Sequence, residues 1–161
     1  MNTDASTSTG MVVGHDQVAI GPPASQHRVV VGIDGSSESA RALDWAITQA
    51  RQSGAILDIV TAWMFPMAIG YAFTTTVDEV RKRALDLLDE AISHVADVAP
   101  DVVVRGETKE QPAGPALVAA SKGADLLIVG SRGMGGFEEL LVGSVGHYCM
   151  RRAPCSVVIV R

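Results

Sequence analysis

Short runs of aliphatic, largely β-branched residues alternate along this chain with stretches of helical periodicity. Val29-Val30-Val31-Gly32-Ile33 shows no polar alternation. A strand that is apolar on both faces is buried on both faces, which suits a parallel sheet covered by helices. Further runs of this kind are Ile56 to Ala62, Val102-Val103-Val104, Leu126 to Val129 and Cys155 to Val160. The segments between them read as helices. Ser36 or Ser37 can cap the first, and Ala40, Leu43, Ala46, Ile47 and Ala50 form its apolar stripe. Thr76 with Glu79 is a capping box for the second, which Pro100 ends. Pro112 and Pro115 stand where a first helical turn tolerates them, before Ala116 to Lys122. The last helix spans Ser144 to Arg152, and Pro154 stops it. Strictly alternating strands and helices with right-handed crossovers predict an α/β fold. Its sheet is doubly wound, five-stranded and parallel, in the order 3-2-1-4-5, with helices on both faces.

Composition narrows the class. Of the 161 residues 47% are hydrophobic, enough for a core and too many for a disordered chain. Aromatics are 4%, so Ala, Val, Leu and Ile build that core. The net charge of -5 argues against nucleic acid, whose phosphates need clustered Lys and Arg. Two cysteines, Cys149 and Cys155, make neither a disulfide framework nor a zinc site. No apolar stretch is long enough for a membrane span. Residues 1–27 lack the basic start and hydrophobic centre of a secretory signal, so the expected compartment is the cytoplasm. Residues 1–26, which open with mostly Asn, Thr, Ser, Asp and Ala over Met1 to Gly10 and are broken by Gly21-Pro22-Pro23, are expected to form a flexible arm ahead of a domain over 27–161. Trp63 to Thr75 reads as the longest loop inside that domain.

Glycine carries the chemistry. There are 16, and many cluster just after the first and fourth strands: Gly32 and Gly35, then Gly130, Gly133, Gly135 and Gly136, with Gly143 and Gly146 following. Ligands of open α/β sheets sit beyond the carboxyl ends of strands where the strand order reverses. The order 3-2-1-4-5 puts both glycine turns on that crevice. Glycines let backbone N–H groups turn toward an anion. Gly143-Ser144 opens a helix whose free N–H groups also favour phosphate. Arg132 is the basic side chain of the fourth-strand loop, whereas Glu138 and Glu139 add negative charge to it.

The pattern Gly130-x2-Gly133-x9-Gly143-Ser144 resembles the nucleotide-binding signature of the universal stress protein family. The start, Val29 to Ser36, and the end, Gly143 to Val160, are similar to that family's first strand and turn and its last helix and strand. The resemblance implies an ATP-binding, stress-response or regulatory member, with or without Mg2+, and a homodimer paired through the C-terminal strand. It implies that Asp34 lies near the ribose with Gly32 and Ile33 beside it. Thr61 or Ala62 would meet the adenine, and Val129 and Gly130 would flank the sugar. Gly133, Gly143, Ser144 and Val145 would hold phosphates, with Arg132 a further candidate.

Each residue has a plainer role too. Asp34 and Ser144 can serve as helix caps, and Arg132 can face solvent. His147, Cys149, Cys155, Trp45 and Trp63 read as surface or packing residues. No Gly-x4-Gly-Lys-Ser/Thr loop is present and no base is evidently placed to activate water, so turnover is expected to be weak or nil. The alternatives are a slow ATPase, an ATP-cleaving enzyme of related α/β architecture, or a cyclic-AMP-binding variant.

Overall fold

The computed structural model describes residues 17–20, 27–65, 76–133 and 142–161. In chain order the elements are β1 Gln17–Ile20, β2 Arg28–Ile33, α1 Ser37–Ser53, β3 Ile56–Trp63 and α2 Val77–Val98. They continue as β4 Val104–Glu110, α3 Ala113–Ala120, β5 Leu126–Gly130, α4 Ser144–Arg152 and β6 Ser156–Val160. Strands β2 to β6 are parallel and lie in the order β4-β3-β2-β5-β6, which is the expected 3-2-1-4-5.

A sixth strand joins them. Residues 17–20, expected to be part of a flexible arm, form β1 and pair antiparallel with β4, Gln17 opposite Glu107 and Ile20 opposite Val104. The physical reason is the edge: β4 otherwise presents a row of backbone groups without a ladder partner. Residues 1–16 and 21–26 of the expected arm lie outside the described residues, as do 66–75 of the expected loop.

Side chains alternate across the sheet, and each face has its own core. Val29, Val31, Ile33, Leu57 and Ile59 pack with Ala42, Leu43, Ala46 and Ile47 of α1 and Leu88, Ile92 and Val95 of α2. On the opposite face Val30, Val60, Leu127 and Val129 pack with Leu117 of α3 and Cys149 of α4. The helix ends follow local chemistry. Ser36 caps α1 by accepting from the Ser39 N–H at 3.2 Å, and Gly54 closes it at φ 64°. Thr76 and Glu79 form the expected capping box of α2.

Two boundaries moved. The third parallel strand runs over Val104–Glu110 and not over Val102-Val103-Val104. Val104 and Gly106 face α2, where a Cβ on Gly106 would meet Ile92 Cδ1 at 2.7 Å. Arg105, Glu107 and Lys109 take the other face, so the strand looks polar in sequence. Helix α3 begins at Ala113, with Pro112 as its N-cap and Pro115 in its first turn as expected, but ends at Ala120 and not at Lys122. Its far end is held by Arg28, which donates from Nη1 to the Lys122 carbonyl at 3.0 Å and from Nη2 to that of Ala120 at 3.2 Å. The same guanidinium pairs with buried Asp58, Nε to Oδ2 at 2.8 Å.

Candidate functional site

The strand order reverses between β2 and β5, and their carboxyl ends part there. Residues Ile33 to Ser36 turn out of β2, with Gly35 at φ 85°, a value that a side chain would strain. Asp34 sits in this turn. Its Oδ1 accepts from the Ser36 N–H at 3.0 Å and the Ser36 hydroxyl at 2.6 Å. Ser36, not Asp34, is the N-cap of α1. Across the gap, Gly130 ends β5 against the first turn of α1. A Cβ there would lie 2.8 Å from the Glu38 carbonyl carbon and 3.0 Å from its oxygen. Glycine is what lets the two backbones approach. At Gly133 a Cβ would run into the Asp34 carboxylate at Oδ2, so the β5 loop returns directly over the β2 turn.

Helix α4 completes the rim. Gly143 is its N-cap, no side chain caps it, and the Gly143 N–H itself donates to the Ser131 carbonyl at 2.7 Å. The first N–H groups of a helix have no partner within it. Here Ser144, Val145 and Gly146, which carry them, line a cavity of about 470 Å³. Helix α3 adds a second N-terminus without a side-chain cap, and Ala113 at its start lines the same cavity. The floor is apolar: Val60, Ala62, Leu117 and Val129.

The predicted residues gather here with one exception. Gly32, Ile33, Asp34, Ala62, Val129, Gly130, Arg132, Gly133, Gly143, Ser144 and Val145 all line the cavity. Thr61 does not. It shares strand parity with Leu57 and Ile59, whose side chains join the core under α1 and α2, so it points away from the cleft. It is 3% exposed, and among the described residues its Oγ1 has no hydrogen-bond partner. The cleft also includes Ser131 and Gly146 of the glycine-rich segments, which were assigned no contact, and Val60, Ser39, Ala113 and Leu117, which sequence reasoning missed. Period-two alternation from Ala62 points to Val60; the α3 and α1 contributions have no local signal.

Arg132 is engaged. Its Nη2 donates to Glu38 Oε1 at 2.8 Å, while Arg41 approaches the same oxygen at 3.5 Å. The Ser37 hydroxyl, donating to Oε2 at 2.8 Å, holds the Glu38 carboxyl below its usual range, with further help from its own backbone N–H and Arg132. Gly135, Gly136, Glu138 and Glu139 lie outside the described residues. His147 is exposed and does not line the cavity. Among the described residues no group of His, Cys, Asp or Glu is arranged to hold a metal ion. None of the described helices is long and apolar enough to cross a membrane.

A doubly wound sheet with its glycine turns on the switch point and an uncapped helix at the rim is a recurrent scaffold, so relatives decide the family. The family model described as the universal stress protein family matches residues 26–161. The chain belongs to the universal stress protein family. It is 33% identical over 149 residues to universal stress protein YxiE of Bacillus subtilis, covering 84% of this chain and 99% of that one. It is 32% identical over 154 residues to universal stress protein Rv2623 of Mycobacterium tuberculosis, where it spans 94% of its own length and 50% of the relative's. Among solved structures, a universal stress protein in complex with cAMP matches with TM-score 0.65 and 34% identity, over 84% of this chain and 97% of that one. A family member from Archaeoglobus fulgidus in complex with dAMP shares the fold, with TM-score 0.62 and 18% identity over 84% of this chain and 98% of that one.

Proposed function

We propose that this chain binds an adenine nucleotide, ATP, in the cleft between β2 and β5, and serves as a stress-response or regulatory protein with little or no turnover. The observation that carries the reading is the uncapped N-terminus of α4 opening onto the same cavity as the Ile33–Ser36 turn. Free N–H groups and the helix dipole favour a phosphate at Ser144 and Val145. The apolar floor of Val60, Ala62, Leu117 and Val129 suits a flat base, and the Asp34 carboxylate suits ribose hydroxyls. A cavity of about 470 Å³ falls within the size range of small-molecule sites. Magnesium would arrive on the nucleotide's phosphates, the usual mode for an ion that keeps most of its water.

A second reading, cyclic AMP as the physiological ligand, draws on one observation: the relative that is 34% identical was solved in complex with cAMP. We also propose a homodimer through β6. That strand ends the sheet, and its residues Val157 to Val160 keep partial exposure with no described strand beyond them.

Calorimetry on the native protein with ATP, AMP and cAMP, with and without magnesium, tests the ligand. Saturable binding that weakens in Gly133→Ala, with far-UV circular dichroism retained, is the expected result. Absence of binding by all three nucleotides refutes the reading. Light scattering on the same sample tests the dimer.

A further inference from the structure

We infer that Glu38 is a specificity-determining residue of this cleft: by holding Arg132 at the first turn of α1, it restrains the preference for a polyphosphate tail over a single cyclic phosphate. The inference rests on the reading that the cleft takes adenine nucleotides. Arg132 is the one basic side chain among the described lining residues, so it is the natural partner for additional phosphate charge. Glu38 already occupies it. Both carboxylate oxygens are engaged, Oε1 by Arg132 at 2.8 Å and Arg41 at 3.5 Å, and Oε2 by the Ser37 hydroxyl at 2.8 Å.

The pair is also pinned by the backbone. Gly130, two residues before Arg132, packs so closely under Glu38 that a Cβ would meet the Glu38 backbone at 2.8 Å. This contact fixes the Glu38 backbone and Cβ beside the β5 loop, and the Ser37 and Arg132 hydrogen bonds then hold the carboxylate. The Glu38 side chain is 13% exposed against 40% for Arg132, so the acid is the fixed partner and the arginine the movable one. A guanidinium has further N–H groups to offer a ligand, but its charge is already countered. Each added phosphate charge thus gains less from Arg132 than it would from an unpaired cation. The backbone N–H groups of α4 serve a singly charged cyclic phosphate without that cation.

Calorimetry near physiological salt on wild type, Glu38→Gln, Arg132→Gln and the double variant tests this, with ATP and cAMP as the probes. Glu38→Gln is expected to tighten ATP about three- to tenfold, in the range of a partly exposed charge-assisted contact, and cAMP by less than about twofold. Adding Arg132→Gln should abolish the gain. Glu38→Ala, which leaves no acceptor for the guanidinium, should move ATP in the same direction. Equal tightening of both nucleotides, or a gain that survives Arg132→Gln, would show a general charge effect and overturn the inference. If wild type binds neither nucleotide, the underlying reading fails first. If it binds both and the two substitutions act additively on ATP, the inference alone fails.

Discussion

Gly32 and Leu117 fill one space between them, and their coupling can be worked out from the contact. A Cβ built on Gly32 lies 2.8 Å from both Cδ atoms of Leu117. Comfortable carbon contacts lie near 3.5–4.0 Å, so Gly32→Ala forces a shift of roughly 1 Å. Leu117 is 3% exposed and clusters with Val30, Val60 and Cys149, so it can yield only toward the cleft that it lines. Overpacking of this kind costs about 1–3 kcal/mol. Leu117→Ala alone removes a buried side chain and costs about 2–5 kcal/mol. Once Leu117 is truncated the clash is gone. Gly32 is not among the glycines of positive φ, so alanine fits its backbone. The substitution then stabilises by about 0.4–1 kcal/mol, because it restricts the unfolded chain. Gly32→Ala should therefore change sign with background, a coupling of about 1.5–4 kcal/mol. With a urea m-value near 2 kcal/mol/M, that moves the denaturation midpoint by about 1–2 M between the two backgrounds. Urea titrations of the four proteins at one fixed concentration measure it, since a dimer's stability depends on concentration. Additivity within about 0.5 kcal/mol would refute the claim that these residues compete for one space.

Three further outcomes are expected. Burial pushes the Cys149 thiol up to about 11, with Cys155 adding to the effect. The folded state then keeps its proton where the unfolded chain has lost it, so stability should fall by about 2–3 kcal/mol between pH 9 and 11, measured by urea titration and absent in Cys149→Ala. Backbone donation from Arg28 first, with His27 assisting, holds Asp125 below its usual range, while the Arg51 side chain does the same for Asp101. Their stabilisation is complete above the ordinary carboxylate range and lost as pH falls through the lowered values, so Arg51→Ala should flatten the acid limb of a stability–pH curve. Thr76→Ala removes half of the α2 capping box and should cost about 1 kcal/mol, read as a lower urea midpoint with unchanged m.

Local chemistry was legible wherever a residue acts on its own neighbours. Helix α4 runs over Ser144–Arg152, as Gly143 and Pro154 indicate, and the capping box places the start of α2. The parallel order could be read because strands β2, β3 and β5 are apolar on both faces. Strand β4 could not be read this way. Val104 and Gly106 pack toward α2, with Gly106 buried and lacking an apolar side chain, while Arg105, Glu107 and Lys109 line a polar recess. Strand β1 was illegible for a related reason: its pairing with β4 satisfies backbone groups, and backbone groups carry no sequence signature.

At the cleft the division is similar. Glycine spacing and strand ends marked Gly32, Asp34, Gly130, Gly133 and Gly143, because backbone conformation and close approach restrict residue type locally. Which of Thr61 and Ala62 faces the cavity depends on the phase of β3 in the sheet. The structure puts Ala62 there and turns Thr61 toward α1 and α2. The sequence by itself therefore determined the layered fold, the glycine turns and the helix that opens on them. Only tertiary packing decided that Leu117 fills the space above Gly32 and that Glu38 holds Arg132. Those pairs are 85 and 94 positions apart in the chain, and no local rule of propensity, capping or spacing reaches that far.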